Sequence, residues 1–204
     1  MANTRKIIKK RWHPVYALKP LENKFIGEVY VATPEEMINR FILINLSVVT
    51  NNYAHQHFNA KFRIEEVDGD KGLASIYGYF MQQAYEKRVV RRNKEKIVDS
   101  FAVKTKDDKL VVVKPLIIAM SRIAKSIQRK IRLYTRHYFA TQAASKNYEE
   151  FMDNIINGKY QAELKKALSK FYPISTAELR KVYRAEKFAL IINRNQYKEE
   201  FEKN

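Results

Sequence analysis

The residues of this sequence best suited to chemistry are cations set at helical spacing. Intervals of three or four residues separate Arg122, Lys125, Arg129, Arg132 and Arg136. Such spacing places side chains along one face of an α-helix, and no Asp or Glu occurs between positions 122 and 145. Like charges three or four residues apart repel by roughly 0.2–0.5 kcal/mol per pair. The pattern therefore favours contact with a polyanion, and a merely solvated charged face is the alternative.

The same sign of charge dominates the surrounding sequence. Residues 82–144 carry 16 Lys and Arg against 5 Asp and Glu, which supplies most of the net charge of +17. A second group of candidate RNA-binding cations precedes the helix: Lys87, Arg88, Arg91, Arg92 and Lys94. An excess of this size indicates nucleic acid as the first choice of partner and an anionic membrane surface as the second.

The N-terminal residues 1–11 contain five cations and no acid. We predict that they form a basic tail, disordered in the free protein and ordered by phosphates, because they have little apolar surface to bury. Its candidate RNA contacts are Lys6, Lys9, Lys10 and Arg11; a tail that only adds solubility is the alternative. Trp12 follows directly, and we expect it to anchor the root of the tail to the body, with base stacking as the second interpretation.

The other reactive residue types do not form a catalytic pattern. The sequence has no Cys and only 5 Gly, and it contains neither a thiolate zinc motif nor a Gly-rich phosphate loop. His55 and His57 would share one face of a strand, but a metal site needs three or four convergent ligands. A polar hairpin turn accounts for the acidic residues Glu65, Glu66, Asp68 and Asp70. We predict a protein that is not an enzyme and has no metal or cofactor.

The apolar pattern predicts the elements that position the cations. The basic helix covers residues 121–145, and its core face consists of Ile123, Ile127, Ile131, Tyr134 and Tyr138. Further helices are predicted over 81–93, 148–156 and 161–170, and strands over 25–31 and 174–183. Two hairpins are predicted, 61–67 with 73–80 and 97–104 with 109–119. In the second hairpin, Pro115 requires an edge strand or a bulge.

Other segments complete the prediction of a mixed α and β protein. Thr33, Pro34 and Glu36 indicate a capped helix start. Residues 40–50 are apolar on both faces of a strand, which predicts a central, buried position. We predict a single domain over residues 12–184 and a C-terminal extension over 185–204. No apolar run approaches the roughly 18 residues that a membrane span needs, so we expect a cytoplasmic protein.

Several short motifs occur in a recognisable order: KKRW at 9–12, IGE at 26–28, VRR at 90–92, VKTKD at 103–107, YPI at 172–174 and ELRKV at 178–182. Taken together, they resemble the S3Ae family of small-subunit ribosomal proteins of archaea and eukaryotes. The chain departs from the family pattern at Ala102, where the family usually has Asp, and at Asp108, where it usually has Gly. It also has Gln-Gln-Ala at 82–84 in place of the family's Thr-Arg-Asp.

The resemblance implies an α+β fold with a curled, mostly antiparallel, barrel-like β-sheet and peripheral helices. It implies a structural constituent of the small ribosomal subunit in the cytoplasm, supporting translation. The protein would bind ribosomal RNA on the platform, near the messenger exit and the 3′ end of the RNA. The expected partners are this RNA and neighbouring small-subunit proteins, with no membrane and no small-molecule substrate.

From the residues alone, two other functions stay open. One is a nucleic-acid-processing enzyme that would use the acidic residues at 65–70 with a divalent cation. The other is a peripheral membrane protein that would use the basic amphipathic helix.

Overall fold

The computed structural model describes residues 9–18, 21 and 23–185 of the 204-residue chain. Residues 1–8 of the predicted tail, with Lys6, and residues 186–204 of the predicted extension lie outside this part. The chain divides into two compact units, with the boundary between Tyr77 and Gly78. The single domain over 12–184 stays a prediction.

The first unit is built mainly from strands. They are β1 (Arg11–Ala17), β2 (Phe25–Val31), β3 (Phe41–Asn45), β4 (Phe58–Asp68) and the greater part of β5 (Lys71–Met81). A short helix, α1 (Leu46–Thr50), follows β3, and two turns of 3₁₀ helix cover Pro34–Met37 and Tyr53–His55. β1 pairs antiparallel with β2 and parallel with β5, while β4 lies between β3 and β5.

The prediction of one central strand over residues 40–50 is wrong. The strand ends at Asn45, whose side-chain oxygen accepts a hydrogen bond from the backbone N–H of Ser47 at 2.9 Å and so caps helix α1. β3 pairs with β4 alone among the described strands, and Leu43 is 61% exposed. The capped helix start at Thr33 is confirmed in position only, because the turn is 3₁₀ and the Thr33 side chain makes no capping hydrogen bond.

The second unit contains the remaining elements. They are α2 (Gln83–Val89), β6 (Lys96–Val98), β7 (Phe101–Lys104), β8 (Leu110–Ala119), α3 (Lys125–Ser145), α4 (Tyr148–Ile156), α5 (Lys159–Leu168) and β9 (Ile174–Arg184). β8 pairs antiparallel with β6, β7 and β9, and the end of β5 pairs with the end of β9. β8 is apolar and buried on both faces over most of its length, because it has partners on both edges and helices nearby.

Two local predictions in this unit are confirmed at atomic detail. The ladder between β8 and β9 shifts register between Lys114 and Pro115, which is the bulge that a proline lacking an N–H requires. The helix predicted over 148–156 is α4, and its N-cap residue is Asn147, whose side chain makes no capping bond. Instead, the carboxylate of Asp107 accepts a hydrogen bond from the backbone N–H of Tyr148 at 3.2 Å, which satisfies one of the helix's free donors.

The predicted α+β class, the mostly antiparallel sheet and the peripheral helices are confirmed. Among the described strands, the hydrogen-bonded path runs from β2 to β6, and these two end strands do not pair with each other. In the described part of the chain, no helix is both long enough and apolar enough to span a membrane.

Candidate nucleic-acid interface

The basic helix α3 buries a different face from the one predicted. Its buried residues are Ile131, Thr135, Phe139 and Ala143, whereas Tyr134 and Tyr138 are only half-buried. The buried face is therefore rotated toward the cations by roughly 100°, the angle of one residue. Aromatic packing fixes this rotation, since the ring of Phe139 lies 6.1 Å from that of Phe101 on β7 and 6.2 Å from that of Tyr160 on α5.

The rotation separates the predicted cations of α3 into two groups. Lys125 and Arg129 are exposed, and Arg122 is exposed just before the helix begins. Arg132 is half-buried, and its Nε is buried without a hydrogen-bond partner. Arg136 is half-buried and held in an ion pair, so its charge is already neutralised within the protein.

The partner of Arg136 is Asp99, in the segment between β6 and β7. Nε of Arg136 lies 2.6 Å from one carboxylate oxygen of Asp99, and Nη2 lies 2.9 Å from the other. Two parallel charge-assisted hydrogen bonds fix both side chains in a planar arrangement. This pair holds the middle of α3 against the β6–β7 segment. It thereby also sets the orientation of the exposed cations that lie closer to the start of the helix.

The second basic segment comprises the last turn of α2 and the loop that leads to β6. Lys87, Arg88, Arg91 and Arg92 are exposed. The chain turns at Asn93, which has a left-handed backbone with φ of 64°. Lys94 is half-buried and donates a hydrogen bond to the hydroxyl of Ser175 on β9 at 2.8 Å. Most of the predicted cations here therefore face solvent, while Lys94 also ties the segment to β9.

A hydrogen-bond bridge brings the two basic segments together. The side-chain amide of Gln128, in the first turn of α3, donates to the carboxylate of Glu95 at 3.1 Å. The backbone carbonyl of Glu95 in turn accepts from the N–H of Ala119, at the end of β8, at 3.0 Å. We call the cations at 87–94 and those at 122–129 the basic surface. The start of α3 is therefore joined to Glu95, the residue that directly follows the Arg91–Lys94 loop.

An open pocket of about 430 Å³ lies beside α2. Its lining residues are Gln83, Glu86, Lys87, Val90, Lys96 and Arg180. Glu86 accepts from Lys96 at 2.8 Å and from Arg180 at 2.9 Å. Burial alone would raise the pKa of Glu86, but the hydrogen bond and charge of Lys96, together with Arg180, outweigh it and lower this pKa. The pocket is thus lined by three cations and one half-buried carboxylate.

The ion pair between Glu86 and Arg180 could not be predicted from the sequence. They lie far apart in the sequence, and the segments containing them show no spacing that links them.

The described end of the N-terminal tail differs from the prediction at Trp12. Lys9, Lys10 and Arg11 are exposed, and their contact with RNA stays a prediction. Trp12 is 64% exposed, so it does not anchor the tail by burial. The anchor is instead the backbone, because β1 begins at Arg11 and pairs with β2 from that residue onward.

Among the described residues, the acidic residues at 65–70 do not converge with His55 and His57, although His13 Nδ1 lies 3.7 Å from a carboxylate oxygen of Asp70. Asp68 and Asp70 lie at the exposed turn between β4 and β5. His55 belongs to a 3₁₀ turn and lies 3.3 Å from the Thr50 hydroxyl, so the expected shared strand face with His57 is wrong. Within residues 9–18, 21 and 23–185, no three His, Cys, Asp or Glu side chains are grouped as metal ligands would be.

Fold and surface together define a basic α+β protein whose exposed cations are gathered by a helix and an adjacent loop. The chain belongs to the ribosomal S3Ae family, whose sequence profile matches residues 2–187. The small ribosomal subunit protein eS1 of Nanoarchaeum equitans is 31% identical over 175 residues, covering 86% of this chain and 88% of the relative. That of Methanobrevibacter smithii is 28% identical, covering 83% and 88%. The resemblance noted in the sequence is confirmed.

Proposed function

We propose that this chain is a structural component of the small ribosomal subunit and binds ribosomal RNA through its basic surface. Family membership across residues 2–187 and relatives named as small-subunit proteins support the subunit. The observation that supports RNA as the ligand of this surface is the bridge from Gln128 to Glu95. It brings two groups of exposed cations, far apart in the sequence, to adjoining positions.

Binding through this surface is mainly to phosphates and to RNA shape. Exposed Lys and Arg side chains displace condensed counterions from the RNA, and this release supplies most of the affinity. Phosphate contacts position a protein on RNA without reading its sequence. Arg136 acts on this surface indirectly, because its pairing with Asp99 fixes the orientation of α3. The pocket beside α2 adds Lys87 as a cation shared with the basic surface.

The location of the protein in the subunit is the finer part of the proposal. From the family resemblance we infer the platform, near the messenger exit and the 3′ end of the RNA, beside other small-subunit proteins of the cytoplasmic ribosome. The role is structural rather than catalytic, and it involves neither a membrane nor a small-molecule substrate. The departures from the family pattern at residues 82–84 and 102 lie in the second unit, next to or within the elements that hold the basic surface.

Charge reversal tests the basic surface. The test variant changes Arg91, Arg92 and Lys125 to Glu, and the matched control changes three exposed lysines on or just after α5 to Glu, namely Lys159, Lys166 and Lys170. Affinity for small-subunit ribosomal RNA is measured at several salt concentrations. If about eight phosphates are neutralised, the slope of log affinity against log salt is near −6 to −7.

We expect the test variant to bind more weakly and with a flatter slope, and the control to change far less. Exposed charge changes usually move stability by under about 0.5 kcal/mol, so both variants should stay folded. A wild-type slope shallower than about −2, or equal losses in both variants, would refute the proposal. Cleavage of the RNA that depends on a divalent cation and is lost in Asp68→Asn would instead favour an enzyme.

A further inference from the structure

The outward face of β1 and β2 carries two pairs of aromatic rings that the core does not use. Trp12 lies opposite Tyr30 in the ladder, and their ring centroids are 5.0 Å apart. Tyr16 lies opposite Phe25, with an edge-to-face contact at 5.9 Å. Trp12 is 64%, Phe25 54% and Tyr30 48% exposed. We call these four residues the aromatic ribbon.

Strand alternation explains why the ribbon faces outward. Successive side chains of a strand point to opposite faces, so Trp12, Pro14 and Tyr16 share one face of β1. The alternate residues Val15 and Ala17 are fully buried on the other face, where they supply the packing that this strand contributes to the first unit. Trp12, Phe25 and Tyr30 therefore lie outside that packing, whereas Tyr16 is half-buried. Exposed rings of this size indicate a surface that binds something.

The charge around the aromatic ribbon is positive. Lys9, Lys10 and Arg11 are exposed at the Trp12 end. At the other end, the ammonium of Lys71 lies 5.7 Å from the ring centre of Tyr16. The ladder places one carboxylate, that of Glu28 opposite Pro14, on the same face. Cations at both ends of an aromatic surface suit a ligand that has flat rings joined by negative charges.

We propose that the aromatic ribbon binds single-stranded RNA by stacking unpaired bases on its two ring pairs. Bases stack on aromatic side chains whatever their sequence, and nearby cations follow the phosphates. Trp12 and Tyr16 are four residues apart on β1, so the two pairs are about 13 Å apart. That distance suits a short single-stranded segment rather than a duplex, whose bases are stacked on each other and whose deep major groove side chains cannot read.

The alternative ligand of the aromatic ribbon is the hydrophobic surface of another protein. The observations favour RNA because the cations at both ends would remain unpaired against an apolar protein surface. The inference does not rest on the basic surface of the second unit: a failure here leaves the charge-reversal test unaffected, and the reverse also holds.

Trp12 is the only tryptophan in the chain, so its fluorescence reports on the ribbon directly. The experiment titrates the full-length protein with an unstructured RNA of about ten nucleotides, within the site sizes known for stacking surfaces, and with a duplex of equal length. Two variants keep the reporter: Tyr30→Ala removes a ribbon ring, and Tyr53→Ala removes a ring that is 87% exposed on a 3₁₀ turn and serves as the matched control.

We expect single-stranded RNA to quench Trp12 and to protect it from a soluble quencher such as iodide, and the duplex to do neither. Tyr30→Ala should weaken binding about 5- to 100-fold, the range for loss of one stacked base, and Tyr53→Ala should not. The iodide measurement needs no variant, so it stands if Tyr30→Ala misfolds. Unchanged Trp12 emission on RNA binding, equal affinities of the two variants, or quenching only by another small-subunit protein would overturn the proposal.

Discussion

Replacing Glu178 with Gln should stabilise the protein above neutral pH and have little effect in acid. Glu178 lies on β9 opposite Leu116 of β8. Burial raises the pKa of its carboxyl group from 4.5 to about 7, and the charge of Lys165 only partly opposes this rise. Burial also raises the pKa of Tyr79 and of Tyr85, and the charge of Glu178 adds to both rises. The ionised carboxylate is therefore the unfavourable form in the folded protein.

Linkage gives the sign and size of the effect. The folded state holds the Glu178 proton more tightly than the unfolded state, so the free energy of unfolding falls as pH rises from about 4.5 to about 7 and stays reduced above that. At roughly 1.4 kcal/mol per tenfold change in proton affinity, the complete effect is about 3 kcal/mol. The Gln amide at this half-buried position has its own desolvation cost, so we expect a net gain of about 1–3 kcal/mol near pH 8.

Urea unfolding at about pH 4.5, 6 and 8 measures this difference between variant and wild type. The matched control, Glu66→Gln, removes the same charge from an exposed position on β4. The Glu178→Gln difference should grow with pH while the Glu66→Gln difference stays nearly constant. A Glu178→Gln difference that is the same at all three pH values, or a loss of stability near pH 8, would refute the argument.

Three further predictions concern packing, the α3 ion pair and the tail. A Cβ atom on Gly78 would lie 2.8 Å from a backbone carbonyl oxygen of β9, so Gly78→Ala should lower the free energy of unfolding by about 1–3 kcal/mol; Gly27→Ala, which has open space, should change it far less. Asp99→Ala leaves the half-buried Arg136 without its carboxylate and should cost about 1–3 kcal/mol in thermal unfolding. Deleting residues 1–8 should leave the Tm of the free protein nearly unchanged while weakening RNA binding and flattening its salt slope.

Each of these three predictions has its own contradicting result. Equal stabilities of the two Gly→Ala variants would show that β5 and β9 can separate without cost. A stable Asp99→Ala protein would show that Arg136 finds solvent when its partner is lost. Strong amide protection of residues 1–8 in the free protein would show that the tail is part of the fold.

The sequence by itself determined the features that depend on local stereochemistry. The turn between β4 and β5 places Gly69 at a φ of 58°, a conformation that glycine adopts without strain. Pro115 required a bulge because it has no N–H to donate, and the bulge is there. β8 was predictable as core because its residues are apolar on both faces. The exposure of Lys87, Arg91 and Arg92 likewise follows from the high cost of burying unpaired charge.

The tertiary structure decided which of two apolar surfaces is buried. Residues 40–50 have enough hydrophobicity for a central strand, but the Asn45 side chain caps a helix inside the segment. The core face of α3 is set by Phe101 and Tyr160, which pack against Phe139. The helical periodicity of the sequence does not show which residues of other elements a helix packs against. Trp12 has the side chain of a core residue, yet alternation along β1 places it outside.

The electrostatic details were likewise beyond the sequence. Arg136 and Asp99 are 37 residues apart, and Glu86 and Arg180 are further apart still. Whether a cation is free for RNA or already paired depends on distances of a few ångströms, since charge-assisted hydrogen bonds need close and directed contact. The same holds for Glu178, because a pKa responds to burial and burial is set by every element packed around the group. Composition could therefore predict a polyanion-binding protein, while only the fold could say which of its cations and rings remain available.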